Sequence, residues 1–480
     1  MKKDYSQYFR RPSTKAARKR TTEDVQTIDF DSHLNIKHLG QGKHYLIQTY
    51  GCQGNEADTE TIKGLLHQLD FKETTDERQA DLILLNTCAI RENAENRVFG
   101  ELGRLKQYKK SNPDLLIGVA GCMPQEESVV DRLLMKYPYV DLIFGTHNIY
   151  KIPEYLETAM LAKERVIEVF SDEGSIIENL PKKREFSHKA WVNIMYGCDE
   201  FCTYCVVPYT RGKERSRDPK QVIEEVKKLV LDGYQEVTLL GQNVNSYGRD
   251  FIDKDYTFSH LLNDLAKTAI KRIRFTTSHP KDFDDATIAA IAEHKNIMPH
   301  IHLPVQSGSN KVLKKMNRKY TKEAYLTLVD KIVKAIPHVS LTTDIIVGFP
   351  EEDDEAFEET LDLVNQAHFE GAFTFIFSPR AGTPAAAYHD TTSNVVKKAR
   401  LQRLNTVINQ GYLKGNKRFE NQVVEVLVDG ESKNKANILA GYTEHNKLVN
   451  FEGDCSLIGK IVRVKVTEAK TWFLLGERHE

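Results

Sequence analysis

No apolar run in these 480 residues approaches the roughly 20 needed to cross a bilayer, so no spanning helix is expected. The opening M-K-K-D-Y-S-Q-Y-F-R-R-P lacks the apolar segment of a secretion signal, which points to the cytoplasm. An excess of one charge is missing too. Lys and Arg number 67 against 68 Asp and Glu, a net charge of −1, so global charge does not point to nucleic acid. Cysteine is scarce at seven residues, and in a reducing compartment such thiols favour metal or catalysis over disulfides. What is present is the 40 % hydrophobic and 28 % charged content of a soluble globular protein, in a chain long enough for about three domains.

Six of the seven cysteines fall into two sets of three. Cys198, Cys202 and Cys205 lie in the run Y-G-C-D-E-F-C-T-Y-C; Cys52, Cys88 and Cys122 are scattered. Three thiolates are one short of what a structural zinc or a fully ligated iron–sulfur cluster takes. Two incomplete sets suggest two metal sites that each keep a position open for chemistry.

From residue 44 the chain alternates strand and helix. H-Y-L-I-Q-T-Y, A-D-L-I-L-L-N-T, L-L-I-G-V-A-G and V-D-L-I-F-G are strands apolar on both faces, separated by helical stretches such as Val129–Met135. That pattern predicts a doubly wound parallel sheet over 44–164. Cys52, Cys88 and Cys122 each lie one to three residues past a strand's C-terminal end, where ligands gather in such sheets, so they should converge in space. The charged stretch within 165–183 reads as a linker. A second series, W-V-N-I-M-Y, E-V-T-L-L-G, I-R-F-T-T-S, P-H-I-H-L-P, V-S-L-T-T-D-I-I-V-G and A-F-T-F-I-F, predicts an incomplete six-unit parallel barrel over 184–415 with its function at the strands' C-terminal mouth. Residues 416–480 alternate apolar and polar between Gly-containing turns, as a small antiparallel barrel does, and their charges nearly balance.

Local charge is less even. Residues 1–20 carry eight Lys and Arg against Asp4 alone, and 1–43 read as a basic disordered tail, with a polyanion-steering arm as the alternative. Residues 391–419 hold seven Lys and Arg and no acid, while Val395, Val396, Leu401, Leu404, Val407 and Ile408 recur near helical spacing. One face is expected to pack and the other to meet phosphates. Cys455, far from both sets, reads as a buried or neutral thiol.

The C-x3-C-x2-C run follows the first strand of the predicted barrel and so sits in a loop at its mouth. No fourth Cys or His lies nearby for zinc, whereas a [4Fe–4S] cluster on three thiolates leaves one iron free for substrate. Other strands end in turns where a nucleoside-like cofactor could lie: Gly241, Gln242 and Asn243, then Gln306 and Ser307, then Asp344 and Gly348. Each could equally be turn chemistry. His300 and His302 alternate along a strand and are expected to pack or hydrogen-bond.

The compact run resembles the radical S-adenosylmethionine enzymes, with Tyr204 in the aromatic place before the third cysteine. The likeness widens over T-Y-G-C-Q-G-N-E-A-D-T-E, N-T-C-A-I-R-E-N-A-E-N-R-V-F-G-E-L, G-C-M-P-Q, G-C-D-E-F-C-T-Y-C-V-V-P-Y-T-R-G-K-E-R-S-R and H-L-P-V-Q-S-G-S-N-K-V-L-K-K-M-N-R-K-Y-T. Together, across about residues 44–480, these resemble the methylthiotransferases, and among them the tRNA enzymes that act on isopentenyl-adenosine beside the anticodon. Gly54 departs from the methionine common there.

The resemblance implies two [4Fe–4S] clusters: Cys198, Cys202 and Cys205 would hold the one that cleaves S-adenosylmethionine, and Cys52, Cys88 and Cys122 an auxiliary one that delivers sulfur. Tyr204, Gly241 and Gln242 would border S-adenosylmethionine, although the family's glycine–glycine–glutamate is replaced at Gly241–Gln242, and Gln306 and Asp344 are the strand-end candidates for the same cofactor. It implies methylthiolation at C2 of N6-dimethylallyl adenosine at position 37, with two S-adenosylmethionine consumed. It also implies a C-terminal RNA-binding TRAM barrel, a tRNA anticodon stem-loop as partner, and an electron donor such as flavodoxin or ferredoxin. A monomer is expected. Sister families modify threonylcarbamoyl-adenosine in tRNA or a ribosomal-protein aspartate. A nucleic-acid-binding protein with structural or redox clusters is a further alternative.

Overall fold

The computed structural model describes residue 17 and residues 25–30, 38–89, 92–169, 175–252, 255–432 and 437–479. Most of the basic tail lies outside the described residues. Ala17 is buried with Phe201 and Tyr209, and β1 (Gln26–Asp29) forms a parallel ribbon with a strand far along the chain, β8 (Ser175–Glu178).

The next strands are β2 (His44–Tyr50), β3 (Lys72–Glu73), β4 (Leu82–Thr87), β5 (Leu116–Gly121), β6 (Leu142–Gly145) and β7 (Val166–Glu168). They form one wholly parallel sheet in the order β3-β2-β4-β5-β6-β7. Alternate residues serve opposite layers. Ile83 and Leu85 join Val98, Leu102 and Leu105 on one face. Leu82 and Leu84 join Ile62, Leu65 and Leu66 on the other. Two-sided burial is why these strands read as continuous apolar runs. The order reverses between β2 and β4, which opens a crevice at their C-terminal ends.

Residues 165–183 are more than the linker their charge suggests. They supply β7 to this sheet and β8 to the ribbon with β1. Strands of three and four residues are too short to show a period. Lys182 and Arg184, in the charged part, pair with Glu225, and Arg184 also with Glu60.

The central unit starts at β9 (Lys189–Asn193), followed by the short hairpin strands β10 (Met195–Tyr196) and β11 (Arg215–Ser216). Then come β12 (Glu236–Leu240), β13 (Arg272–Phe275), β14 (His300–His302), β15 (Ser340–Val347) and β16 (Ala372–Ile376). Two parallel triplets, β9-β12-β13 and β14-β15-β16, join through a parallel bridge between Ile273 and Ile297. The result is the expected half-barrel of six parallel strands, wrapped by helices around the largest core of the molecule. His302 bonds Thr342 at 3.0 Å and His300 bonds it at 3.4 Å, as expected of histidines that serve the strands.

The C-terminal unit is a closed barrel of β17 (Val423–Glu431), β18 (Ile438–Thr443), β19 (Leu448–Glu452), β20 (Ile461–Ala469) and β21 (Leu474–Arg478). Its order is β17-β18-β19-β21-β20, antiparallel except for the β19–β21 pair. The connection from β18 to β19 turns through Glu444 and His445, with Asn446 at φ 59°. This barrel docks beneath the half-barrel. Arg272 donates to Tyr442 O (2.8 Å) and Glu425 O (3.0 Å), Arg274 to Thr443 O (2.7 Å), and Lys189 pairs with Asp429 at 2.7 Å. These contacts sit at the strands' N-terminal ends and leave the opposite mouth free.

One helix departs from expectation here. Helix Asn394–Lys417 presents fewer free cations than its sequence suggests, with Lys398, Lys414 and Lys417 the exposed ones. Lys397 is buried on Asp390, Arg400 is buried between Glu352 and Asp354, and Arg403 meets Glu358. Just past the helix, Arg418 meets Glu370. Its acids come from elsewhere in the chain, and Val395 and Val396, expected to pack, are exposed. Cys455, expected to be buried or neutral, is exposed and neutral: its thiol donates to Glu431 at 3.3 Å, and that carboxylate raises its pKa. Among the described residues no helix is long and apolar enough to cross a membrane.

Candidate metal centres

The compact set occupies the loop between β10 and β11. Gly197 turns into it at φ 78°, where a Cβ would lie 1.9 Å from Lys213 O, so no other residue fits. Cys198 N bonds Gly212 O at 3.1 Å, and Cys205 N bonds Cys202 O at 3.0 Å. The loop is latched from the far side of the half-barrel: Asn317 donates to Phe201 O at 2.9 Å, and Thr203 N to Met316 O at 3.0 Å. Burial raises the Cys198 thiol well above the usual range, helped by Glu214, and pushes Cys205 up to about 12, helped by Cys202. Glu214 itself is raised to about 7 by burial and by Asp199. Arg318 donates to Cys202 Sγ at 3.4 Å.

The scattered set converges as its strand-end positions predict. Cys52, Cys88 and Cys122 follow β2, β4 and β5, three adjacent strands. Gly121 at φ 98° lets Cys122 N reach Thr87 O at 2.8 Å. A buried amide pair floors the crevice. Asn55 donates to Thr87 O (3.0 Å), and Asn86 donates to Asn55 O (2.8 Å) and Thr59 Oγ1 (2.9 Å). Cys52, exposed at the rim, is lowered to about 5, first by a hydrogen bond from Cys88 and then by Arg211. Burial raises Cys122 to about 11, against the pull of Arg211.

The two sets face one another. Val206, next to Cys205, is buried with Ala89, next to Cys88, and with Cys122. Arg211, six residues beyond Cys205, donates from Nε to Cys122 Sγ at 3.2 Å and pairs with Asp58 at 2.6 Å. Thr146 Oγ1 donates to Thr210 O at 3.1 Å across the same boundary.

The other predicted residues divide. Gln242 accepts from Gly197 N at 2.6 Å, so it buttresses the compact loop. Gly241 permits a close approach, since a Cβ would lie 2.6 Å from Met195 Cγ. Gln306 sits at φ 70° and continues the ladder by main-chain bonds with Asp344 O (2.8 Å) and Ile346 N (2.9 Å). Asp344 lies half-buried, 3.4 Å from His302 Nε2. Tyr204 packs edge-on against Phe349. Sequence reasoning missed Arg211, Asp58, Arg318, Asn55 and Asn86. An arginine six residues past the third cysteine, in the otherwise uncharged V-V-P-Y-T-R, was the available signal for the first.

The donor chemistry suits iron–sulfur clusters. Among the described residues no three His, Cys, Asp or Glu side chains close on a single-ion site. In a cluster each thiolate binds a different iron, so its ligands need not share one centre. Three buried or crevice-bound thiols, each set with one arginine donor at a sulfur, are a fitting environment for such a group.

Comparison with known proteins agrees with this geometry. Residues 44–145 match the uncharacterized protein family UPF0004, 192–364 the radical SAM superfamily, and 417–478 the TRAM domain. A curated tRNA-2-methylthio-N(6)-dimethylallyladenosine synthase of Bacillus licheniformis is 60 % identical, covering 99 % of this chain and 94 % of that one. One of the same name from Bacillus subtilis is also 60 % identical with the same coverage. Among solved structures, the radical S-adenosylmethionine methyltransferase TsrM of Kitasatospora setae, with cobalamin and a [4Fe–4S] cluster bound, shares the fold. It aligns at TM-score 0.53 and 13 % identity over 72 % of this chain and 74 % of that one. The superfamily brings S-adenosylmethionine and [4Fe–4S] clusters as cofactors. The chain belongs to the tRNA-2-methylthio-N(6)-dimethylallyladenosine synthase family of radical SAM enzymes.

Proposed function

We propose that this protein attaches a methylthio group to C2 of N6-dimethylallyl adenosine at position 37 of tRNA. The observation that carries the proposal is the placement of two three-thiol sets against each other, through Val206 and Arg211, in a chain 60 % identical to curated synthases of that name. An aromatic C–H is unactivated, so replacing it needs a radical at one site and sulfur at the other. When bound, the clusters supply these: reductive cleavage of one S-adenosylmethionine to a 5′-deoxyadenosyl radical, and sulfur that a second S-adenosylmethionine methylates.

The chain's own residues hold and orient. Cys198, Cys202 and Cys205 are the ligands we assign to the radical-forming cluster, and Cys52, Cys88 and Cys122 to the sulfur-delivering one. Gly241 and Gln242 support the first loop, while Tyr204, Gln306 and Asp344 line the approach to it. To be reached, the adenine must leave the anticodon-loop stack. The edge strand β16 offers exposed Phe373 and Phe375, with Phe373 against the His302 ring, as a stacking surface for an extruded base. We assign tRNA docking to the C-terminal barrel, electron supply to a flavodoxin- or ferredoxin-like donor, and the cytoplasm as the compartment. Mass spectrometry of tRNA nucleosides from cells lacking the protein tests the assignment. The 2-methylthio nucleoside should vanish and N6-dimethylallyl adenosine accumulate; its persistence with no second enzyme present would end the proposal.

A further inference from the structure

Each cysteine set touches one buried arginine that arrives from a distance in sequence. Arg318 spends its other donors on neutral atoms, Pro304 O at 2.9 Å and Tyr320 OH at 2.8 Å. Arg211 differs in two ways. Its partner is a buried carboxylate, Asp58, at 2.6 Å from Nη2 and 3.5 Å from Nη1. It also reaches across the boundary between units, since Cys122 and Asp58 lie on the N-terminal sheet unit and Arg211 on the loop that follows Cys205. At Gly54, in the first turn of helix Gln53–Gln68, a Cβ would stand 3.5 Å from Cys52 Sγ and 3.7 Å from Arg211 Nη2. The guanidinium therefore bonds one thiol, Cys122, and neighbours a second, Cys52, across Gly54.

We propose that Arg211 is the positioning residue of the scattered site: its charged hydrogen bond to Cys122 Sγ, balanced by Asp58, sets the reduction potential of the cluster held there. This rests on Cys52, Cys88 and Cys122 being the ligands of that cluster. Hydrogen bonds to ligand sulfur and local charge are the protein's principal levers on such a potential. A reduced cluster carries one more negative charge, so a nearby cation favours it and raises the potential, and a nearby anion lowers it. Arg211 and Asp58 act with opposite sign on the same group. A tether that merely held the two units together would lose stability on either substitution and show no such sign pattern.

The test uses the full chain with C198A, C202A and C205A together, so that only the scattered site can load. The protein is reconstituted anaerobically with iron and sulfide. Iron per chain is counted, and the midpoint potential is followed by electron paramagnetic resonance. Arg211→Met should move the potential down, Arg211→Lys should restore part of the shift, and Asp58→Asn should move it up. Arg318→Met, which serves the other site, should leave it in place. Unchanged potentials in Arg211→Met and Asp58→Asn, or shifts of the same sign, would overturn the proposal while the ligand assignment stands. If Arg211→Met does not fold, Asp58→Asn decides alone, and the absence of an upward shift is fatal. A parent protein that loads no iron would remove the ligand assignment and the proposal together.

Discussion

The two cysteine sets reach a similar three-thiol arrangement by opposite routes. The compact one is made by a single loop, closed by a two-residue hairpin and latched by Asn317 from across the half-barrel. The scattered one is made by topology, because adjacent parallel strands bring their C-terminal ends to one edge. The chemistry differs accordingly. Burial keeps Cys198 and Cys205 protonated until something displaces the proton. The scattered set already holds Cys52 toward its thiolate. A loop-built site is thus local in sequence though braced from elsewhere in the half-barrel, whereas a sheet-built one inherits the order of the whole unit.

Paired glycine substitutions break this comparison most severely. Gly197→Ala and Gly121→Ala each force a left-handed backbone onto an L-residue, at about 1–2 kcal/mol, and add a clash with a carbonyl oxygen, Lys213 O or Thr87 O. Gly197→Ala should abolish iron at the compact site alone. Gly121→Ala should abolish it at the scattered site alone. Iron counting in the two complementary triple-cysteine backgrounds reads both. Next comes alkylation of the metal-free protein by iodoacetamide at pH 6.5. An ordinary thiol is roughly 1 % ionised there, whereas a thiol near 5 is almost wholly so, so Cys52 should label roughly a hundredfold faster than an ordinary thiol, and Cys205, held at about 12, should label far more slowly still. Labelling of Cys52 should fall as the pH drops below about 5, the direction in which a lowered thiol regains its proton. Peptide mass spectrometry locates the label.

Smaller effects sharpen the contrast. Asn86→Ala removes two side-chain donations, to Asn55 O and Thr59 Oγ1, from a buried crevice, at about 1–3 kcal/mol. It should lower the Tm of the N-terminal unit and the iron held by the scattered set, leaving 5′-deoxyadenosine formation unchanged. Gln242→Ala removes one acceptor from Gly197 N, about 1 kcal/mol, and should weaken only the compact site.

The sheet, the half-barrel and the convergence of Cys52, Cys88 and Cys122 were legible because strands buried on both faces leave continuous apolar runs. Side-chain partnerships were not. Arg211 meets Cys122 from 89 residues away and Arg318 meets Cys202 from 116, and no local period records such pairs. The same blindness overstated the cationic face of Asn394–Lys417: six local cations there and Arg418 just past it are visible, but Glu352, Asp354, Glu358 and Glu370 lie elsewhere in the chain. β7 escaped notice for another reason: it has only three residues, too few to show a period.

The division of labour between the sets is the central claim, and Cys88→Ala tests it most directly. With S-adenosylmethionine, a reductant and tRNA bearing N6-dimethylallyl adenosine, this variant should still form 5′-deoxyadenosine and yield no 2-methylthio nucleoside. Full methylthiolation by Cys88→Ala would contradict the account.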